Sequence, residues 1–87
     1  MSASSGWSFS ARAGRDFKRL DRPIQRRIIT ALDRLTDDPP AGDVVKLANT
    51  DEWRLRVGDW RVRFERDGET GLVNVLRVLP RGRAYRD

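Results

Sequence analysis

Residues 53–64 impose a β-hairpin on this chain. They read Trp53-Arg54-Leu55-Arg56-Val57, then Gly58-Asp59, then Trp60-Arg61-Val62-Arg63-Phe64. Apolar and charged residues alternate on both sides of the Gly-Asp dipeptide, the period of a strand with one face on a core and the other in water. A two-residue connection with glycine first suits a type II′ turn, and the turn fixes the pairing. Val57 then opposes Trp60, Leu55 opposes Val62 and Trp53 opposes Phe64 on the apolar side. On the other side Arg56 opposes Arg61, and Arg54 opposes Arg63. Directly opposed like charges destabilise a sheet. Four guanidiniums on one face therefore call for an anion, and either a phosphodiester chain or an acidic peptide would supply it.

Upstream, Trp7-Ser8-Phe9-Ser10 alternates and predicts a short strand. Ser10 is placed to cap a helix over residues 11–20, with Ala13, Phe17 and Leu20 on one face. Asp21 and Pro23 then open a second helix whose stripe is Ile24, Ile28, Ala31, Leu32 and Leu35. Arg26, Arg27, Asp33 and Arg34 lie on its outer face, and Asp38-Pro39-Pro40 stops it. Two adjacent amphipathic helices joined by a tight turn make a helical hairpin. Residues 41–50 read as a connector holding a small apolar run, Val44, Val45 and Leu47.

Downstream, Asp67-Gly68 marks a turn, and residues 72–79 are apolar on both parities, as in a strand covered on both faces. The register of this strand stays open. An even loop puts Arg77 on the core face, and an odd loop puts Asn74 there.

Eighty-seven residues make one small domain, read as residues 7–87 behind a disordered polar tail of residues 1–6. The formal net charge is +5, and all of the 18 basic residues except Lys18 and Lys46 are arginine. A guanidinium is a planar fork that grips phosphate at two points and keeps its charge. The chain has no cysteine and no histidine. That excludes disulfide staples, zinc-finger spacings and thiol catalysis, and removes the commonest general base and metal ligand. Any chemistry must rest on Arg, Lys, Tyr, Asp, Glu, Ser or Thr. With no apolar run near 18 residues and no basic-apolar leader, a cytoplasmic protein without membrane contact is expected. Arg81, Arg83 and Arg86 extend the basic surface past the last strand. Tyr85 among them could move a proton or stack on a base.

These residues carry a family resemblance. A first helix ends in Arg19-Leu20, a second in Leu35 before the prolines, and Lys46-Leu47 precedes the hairpin. The hairpin run from Trp53 to Val62 is followed by Val75-Leu76-Arg77-Val78-Leu79-Pro80-Arg81 and by Ala84-Tyr85-Arg86. The pattern resembles the RelE/ParE superfamily of bacterial toxins, and within it the RelE-like branch, over nearly the whole chain past residue 6.

The resemblance implies an α+β fold: an N-terminal strand and helical hairpin packed on a small, mostly antiparallel twisted sheet. It implies a type II toxin–antitoxin system, a cognate antitoxin protein as partner, and a toxin–antitoxin complex that binds operator DNA through the antitoxin. RelE-like toxins cut messenger RNA in the ribosomal A site without metal or cofactor, so ribosome and mRNA are further expected partners. Carried over by position, the catalytic candidates are Arg61, Arg81 and Tyr85. Arg54, Arg56, Arg63, Lys46 and Arg83 are the substrate-binding candidates. Arg54 and Arg56 stand where studied relatives have lysines, and arginine does not give up its proton. Two alternatives stand beside this one: a ParE-like inhibitor of DNA gyrase without nuclease activity, and a basic nucleic-acid-binding module that is no enzyme.

Overall fold

The computed structural model describes residues 6–36 and 42–82. Residues 1–5, the Asp38-Pro39-Pro40 stop, Arg83, Tyr85 and Arg86 lie outside the described residues. The elements in chain order are β1 (Trp7–Phe9), α1 (Ala11–Lys18), α2 (Arg22–Leu35), β2 (Val44–Lys46), β3 (Glu52–Val57), β4 (Trp60–Arg66) and β5 (Val73–Pro80). The five strands form one sheet in the order β1-β5-β4-β3-β2. β1 runs parallel to β5 and every other pair is antiparallel. The fold is therefore α+β with a mixed sheet, as expected. One correction concerns residues 41–50. The apolar run read as a connector contains β2, an edge strand three residues long that pairs with β3.

Local chemistry sets the element ends. The Ser10 hydroxyl accepts the Ala13 N–H at 3.1 Å and caps α1. Asp21 occupies the N-cap of α2, but its side chain makes no capping bond. Gly6, assigned by sequence to the tail, belongs to the sheet edge: its carbonyl accepts the Val73 N–H at 2.8 Å. The β3–β4 pairing is the one the alternation dictates, from Val57↔Trp60 to Trp53↔Phe64. Gly58 has φ +59°, whereas Asp59 is not among the positive-φ residues, which is the pattern of a type II′ turn. A Cβ at Gly58 would also lie 2.9 Å from Arg27 Nη2, which the flexible Arg27 side chain would have to vacate, but the positive φ is the stronger demand for glycine.

Both helices cover one face of the sheet. Ala13, Ile28, Leu32 and Leu35 meet Leu55, Val57, Val62, Phe64, Val73, Val75 and Val78 in a single core. The open register of β5 resolves in a way that parity alone does not allow. Val62 pairs with Val78 and Arg63 with Arg77, but Phe64 pairs with Val75, so a bulge at Leu76 shifts the register by one. The extra residue lets Val78 and Val75 both face the core, and Arg77 and Asn74 both stay off it.

β1 covers only the first part of β5, and α1 covers the rest. The Ser10 N–H donates to the Val75 carbonyl at 2.8 Å and the Ser10 hydroxyl to the Leu76 carbonyl at 3.1 Å. Asp16 Oδ2 accepts the Val78 N–H at 3.0 Å. Asp16 also takes Arg77 Nε at 2.9 Å and Nη2 at 3.3 Å, so a strand edge that would invite foreign pairing is closed by one helix. Burial pushes the Asp16 carboxyl up, but the Arg77 hydrogen bond, the Val78 N–H and the charges of Arg77 and Arg12 together hold it below its ordinary 3.8. The folded state thus binds this proton more weakly than the unfolded chain. The stabilisation is complete above pH 3.8 and is lost as pH falls through the lowered value. In melts across acid pH, Asp16→Asn should be less stable than the parent at neutral pH and should show a flatter decline on acidification. A parallel decline in both proteins would mean that other carboxylates control acid unfolding.

Candidate functional site

The sheet face away from the helices is built in rows, each crossing from β2 toward β5. Val45 pairs with Arg54, Arg54 with Arg63, and Arg63 with Arg77, giving three arginines abreast. One step toward the turn, Asp43 continues the β2 register opposite Arg56, which pairs with Arg61, which pairs with Leu79. One step the other way the row is Leu47, Glu52, Glu65 and Asn74. Alternation places these residues on one face, and the β5 bulge keeps Arg77 there.

Much of this positive charge is balanced within the chain. Arg63 is gripped at two points by Glu52, with Nη2 to Oε1 at 2.9 Å, and both side chains are only 16% exposed. Arg77 is held by Asp16. Arg56 pairs with Asp43, and here both side chains face water, 61% and 48% exposed. Arg61 is 6% exposed. Its Nη1 donates to the Gly58 and Trp60 carbonyls, both at 2.9 Å, which fixes the fork against the turn without neutralising it.

A cleft of about 340 Å³ opens on this face, lined by Asp43, Val45, Leu47, Arg54, Arg56 and Arg61. Three of the sequence-predicted arginines converge there on two apolar side chains, a suitable lining for a phosphate with its sugar or base. Arg81 follows β5, and its N–H donates to the Asp59 carbonyl at 2.9 Å, which ties it to the same turn that carries Arg61. Two predicted residues do not join. Lys46 pairs with Trp53 and therefore lies on the helix-side face, its Nζ 5.8 Å from the Trp53 ring centre. Arg63 is engaged by Glu52. Arg83 and Tyr85 fall outside the described residues.

Sequence reasoning missed Asp43, Glu52, Val45 and Leu47. The parity of β3 puts Glu52 on the face of Arg54 and Arg56, so it was legible. Asp43, Val45 and Leu47 lie in a segment too short to show a period. A second groove, about 440 Å³, runs between α2 and the edge of β3; Arg26, Arg27 and Arg34 rim it above Ala31, Leu55 and Val57.

The sequence matches, over residues 8–85, the family described as the ParE toxin of the type II toxin–antitoxin system, parDE. No curated protein matches it. Its fold is similar to a chain in the crystal structure of the archaeal RelE–RelB complex from Pyrococcus horikoshii OT3, with TM-score 0.75 and 28% identity over 88% of this chain and 94% of that one. It is also similar in fold to a chain of the RelBE2 toxin–antitoxin complex from Mycobacterium tuberculosis, with TM-score 0.72 and 23% identity over 91% and 100%. A third likeness in fold is to the YoeB/ParE toxin from Agrobacterium tumefaciens, with TM-score 0.67 and 16% identity over 85% and 95%.

Proposed function

This chain belongs to the ParE toxin family of type II toxin–antitoxin systems, within the RelE/ParE superfamily, and from its resemblance to the RelE-like branch of that superfamily we propose that it is a metal-independent endoribonuclease that cuts messenger RNA in the ribosomal A site and so stops translation. The observation that carries this reading is the convergence of Arg54, Arg56 and Arg61 on one cleft, beside the turn that anchors Arg81. In the reaction the RNA 2′-hydroxyl attacks the adjacent phosphorus. The P–O5′ bond breaks, leaving a cyclic phosphate and a free 5′-hydroxyl. Negative charge grows on the non-bridging oxygens, where Arg61 and Arg81 stabilise it. Arg54 and Arg56 grip the neighbouring backbone. Tyr85 handles the proton or stacks on a base, and Arg83 adds to the basic tail. Lys46 and Arg63 have no part in this site. The ribosome supplies orientation, which can carry several kcal/mol of the barrier.

A cognate antitoxin is the natural partner, because the related solved structures are toxin–antitoxin complexes. Its operator binding would come from the antitoxin. The α2–β3 groove, basic at the rim and apolar at the floor, suits an acidic segment with apolar anchors.

The ParE description of the matched family favours a second reading, inhibition of DNA gyrase by a non-catalytic toxin. One pair of assays separates the two. Pure protein added to translating ribosomes should produce new mRNA ends within A-site codons and leave DNA supercoiling untouched. Intact mRNA with blocked supercoiling would replace the first reading by the second.

A further inference from the structure

The arginine face contains one acid placed differently from the others. Asp43 follows Gly42, whose φ of +146° lies in a region open to glycine, and a Cβ there would come within 3.1 Å of Leu55 Cδ1. The glycine thus lets the chain lie close against β3. The Asp43 carbonyl then accepts the Arg56 N–H at 2.9 Å, adding one bond to the β2–β3 ladder. That bond sets Asp43 opposite Arg56 on the cleft face, and the carboxylate closes on the Arg56 fork. The fold therefore places this carboxylate at the cleft wall, in the position a phosphate oxygen would take on the same guanidinium.

Three ion pairs among the described residues of the sheet face differ in how readily they exchange. Arg63–Glu52 and Arg77–Asp16 are largely shielded and made at two points. Arg56–Asp43 is open to water on both sides, the kind of pair that contributes little stability and is easily replaced. We propose that Asp43 is an internal counter-anion of the cleft: it holds the Arg56 fork when no RNA is present, an RNA phosphate displaces it on binding, and it thereby sets the affinity and salt dependence of the site. This rests on the reading of the cleft as an RNA site. Asp43 acts through Arg56 and is a positioning residue.

The test uses the full chain and two probes: a short single-stranded RNA lacking the attacking 2′-hydroxyl, so that it binds without being cut, and inorganic pyrophosphate. Asp43→Asn keeps the backbone bond and removes the charge. It should bind both probes about threefold to fivefold tighter at low salt. Its RNA affinity should also fall more steeply with salt, by about 0.7 in the log–log slope, as one more phosphate is neutralised. Asp43→Glu should return both values toward the parent, and the gain should vanish when Arg56→Gln is combined with Asp43→Asn. Should Asp43→Asn prove unstable, Arg56→Gln alone remains a test, since it should lower the salt slope of RNA binding by less than a full phosphate contact. Unchanged affinity and slope for both probes in Asp43→Asn, or a full-contact loss in Arg56→Gln, would overturn the counter-anion role and leave the ribonuclease reading standing. Tighter pyrophosphate binding without tighter RNA binding would overturn displacement by RNA and count against the cleft as the RNA site.

Discussion

Arg61→Ala lowers ribosome-dependent mRNA cleavage by about 100-fold or more, the scale of losing one transition-state donor. The effect has two sources that must be separated. Arg61 is nearly buried, and its Nη1 bonds to the Gly58 and Trp60 carbonyls brace the hairpin turn. Deleting the side chain therefore loosens the turn as well as emptying the cleft wall. Arg81→Ala is the cleaner comparison, because the tie from Arg81 to Asp59 is made by the backbone and survives the substitution. A transition-state role predicts that Arg81→Ala lowers kcat by a similar factor with an unchanged melting temperature and little change in RNA binding. Arg54→Gln and Arg56→Gln should chiefly raise KM, since those side chains grip backbone that is equally charged before and during the reaction. Cleavage that persists at the parental rate in both alanine variants would show that the roles given to Arg61 and Arg81 are wrong, whatever happens to stability.

How far the sequence exposed this site depends on the range of each constraint. The two-residue Gly58-Asp59 turn is local, so every cross-strand neighbour of the hairpin follows from counting outward, and the observed register agrees at each step. The balancing of the arginines is not local. Asp16 reaches Arg77 from a helix 61 residues away, and no pattern within either segment announces that contact. Asp43 escaped because β2 has three residues, too few for a period of two to declare itself. β5 is the most instructive element. Its sequence forces a choice between burying Arg77 and burying Asn74 only if the ladder is regular, and the bulge at Leu76 removes the premise. In this strand the apolar residues on both parities, Leu76 and Leu79 among them, accompany a register that breaks. The four-arginine face remains the chief clue to a polyanion partner. Its excess charge is smaller than the alternation suggests, because Glu52 sits on the same parity and takes Arg63.

Phe64→Ala destabilises the fold by about 3–5 kcal/mol, the range for deleting a large buried aromatic. Phe64 is fully buried, opposes Trp53 and Val75, and stacks on the Trp53 ring at 6.4 Å between centres with planes 12° apart. It lies where the β4–β5 register shifts, so the cavity would open beside a ladder that the bulge already interrupts. A domain of this size holds on the order of 5–10 kcal/mol in total, so the loss consumes about a third of that or more. Phe64→Leu, which keeps most of the volume, should retain a cooperative transition at reduced temperature. The consequence reaches the other side of the sheet, because β4 carries Arg61 and Arg63 on its opposite face and is held in place by the core beneath it. Cleavage by Phe64→Ala should therefore follow the folded fraction and recover on cooling toward its stability maximum, unlike the temperature-independent deficit of Arg81→Ala. Denaturant melts and cleavage rates measured over one temperature series would show this, and a Phe64→Ala protein that melts like the parent would mean that the core has its anchor elsewhere.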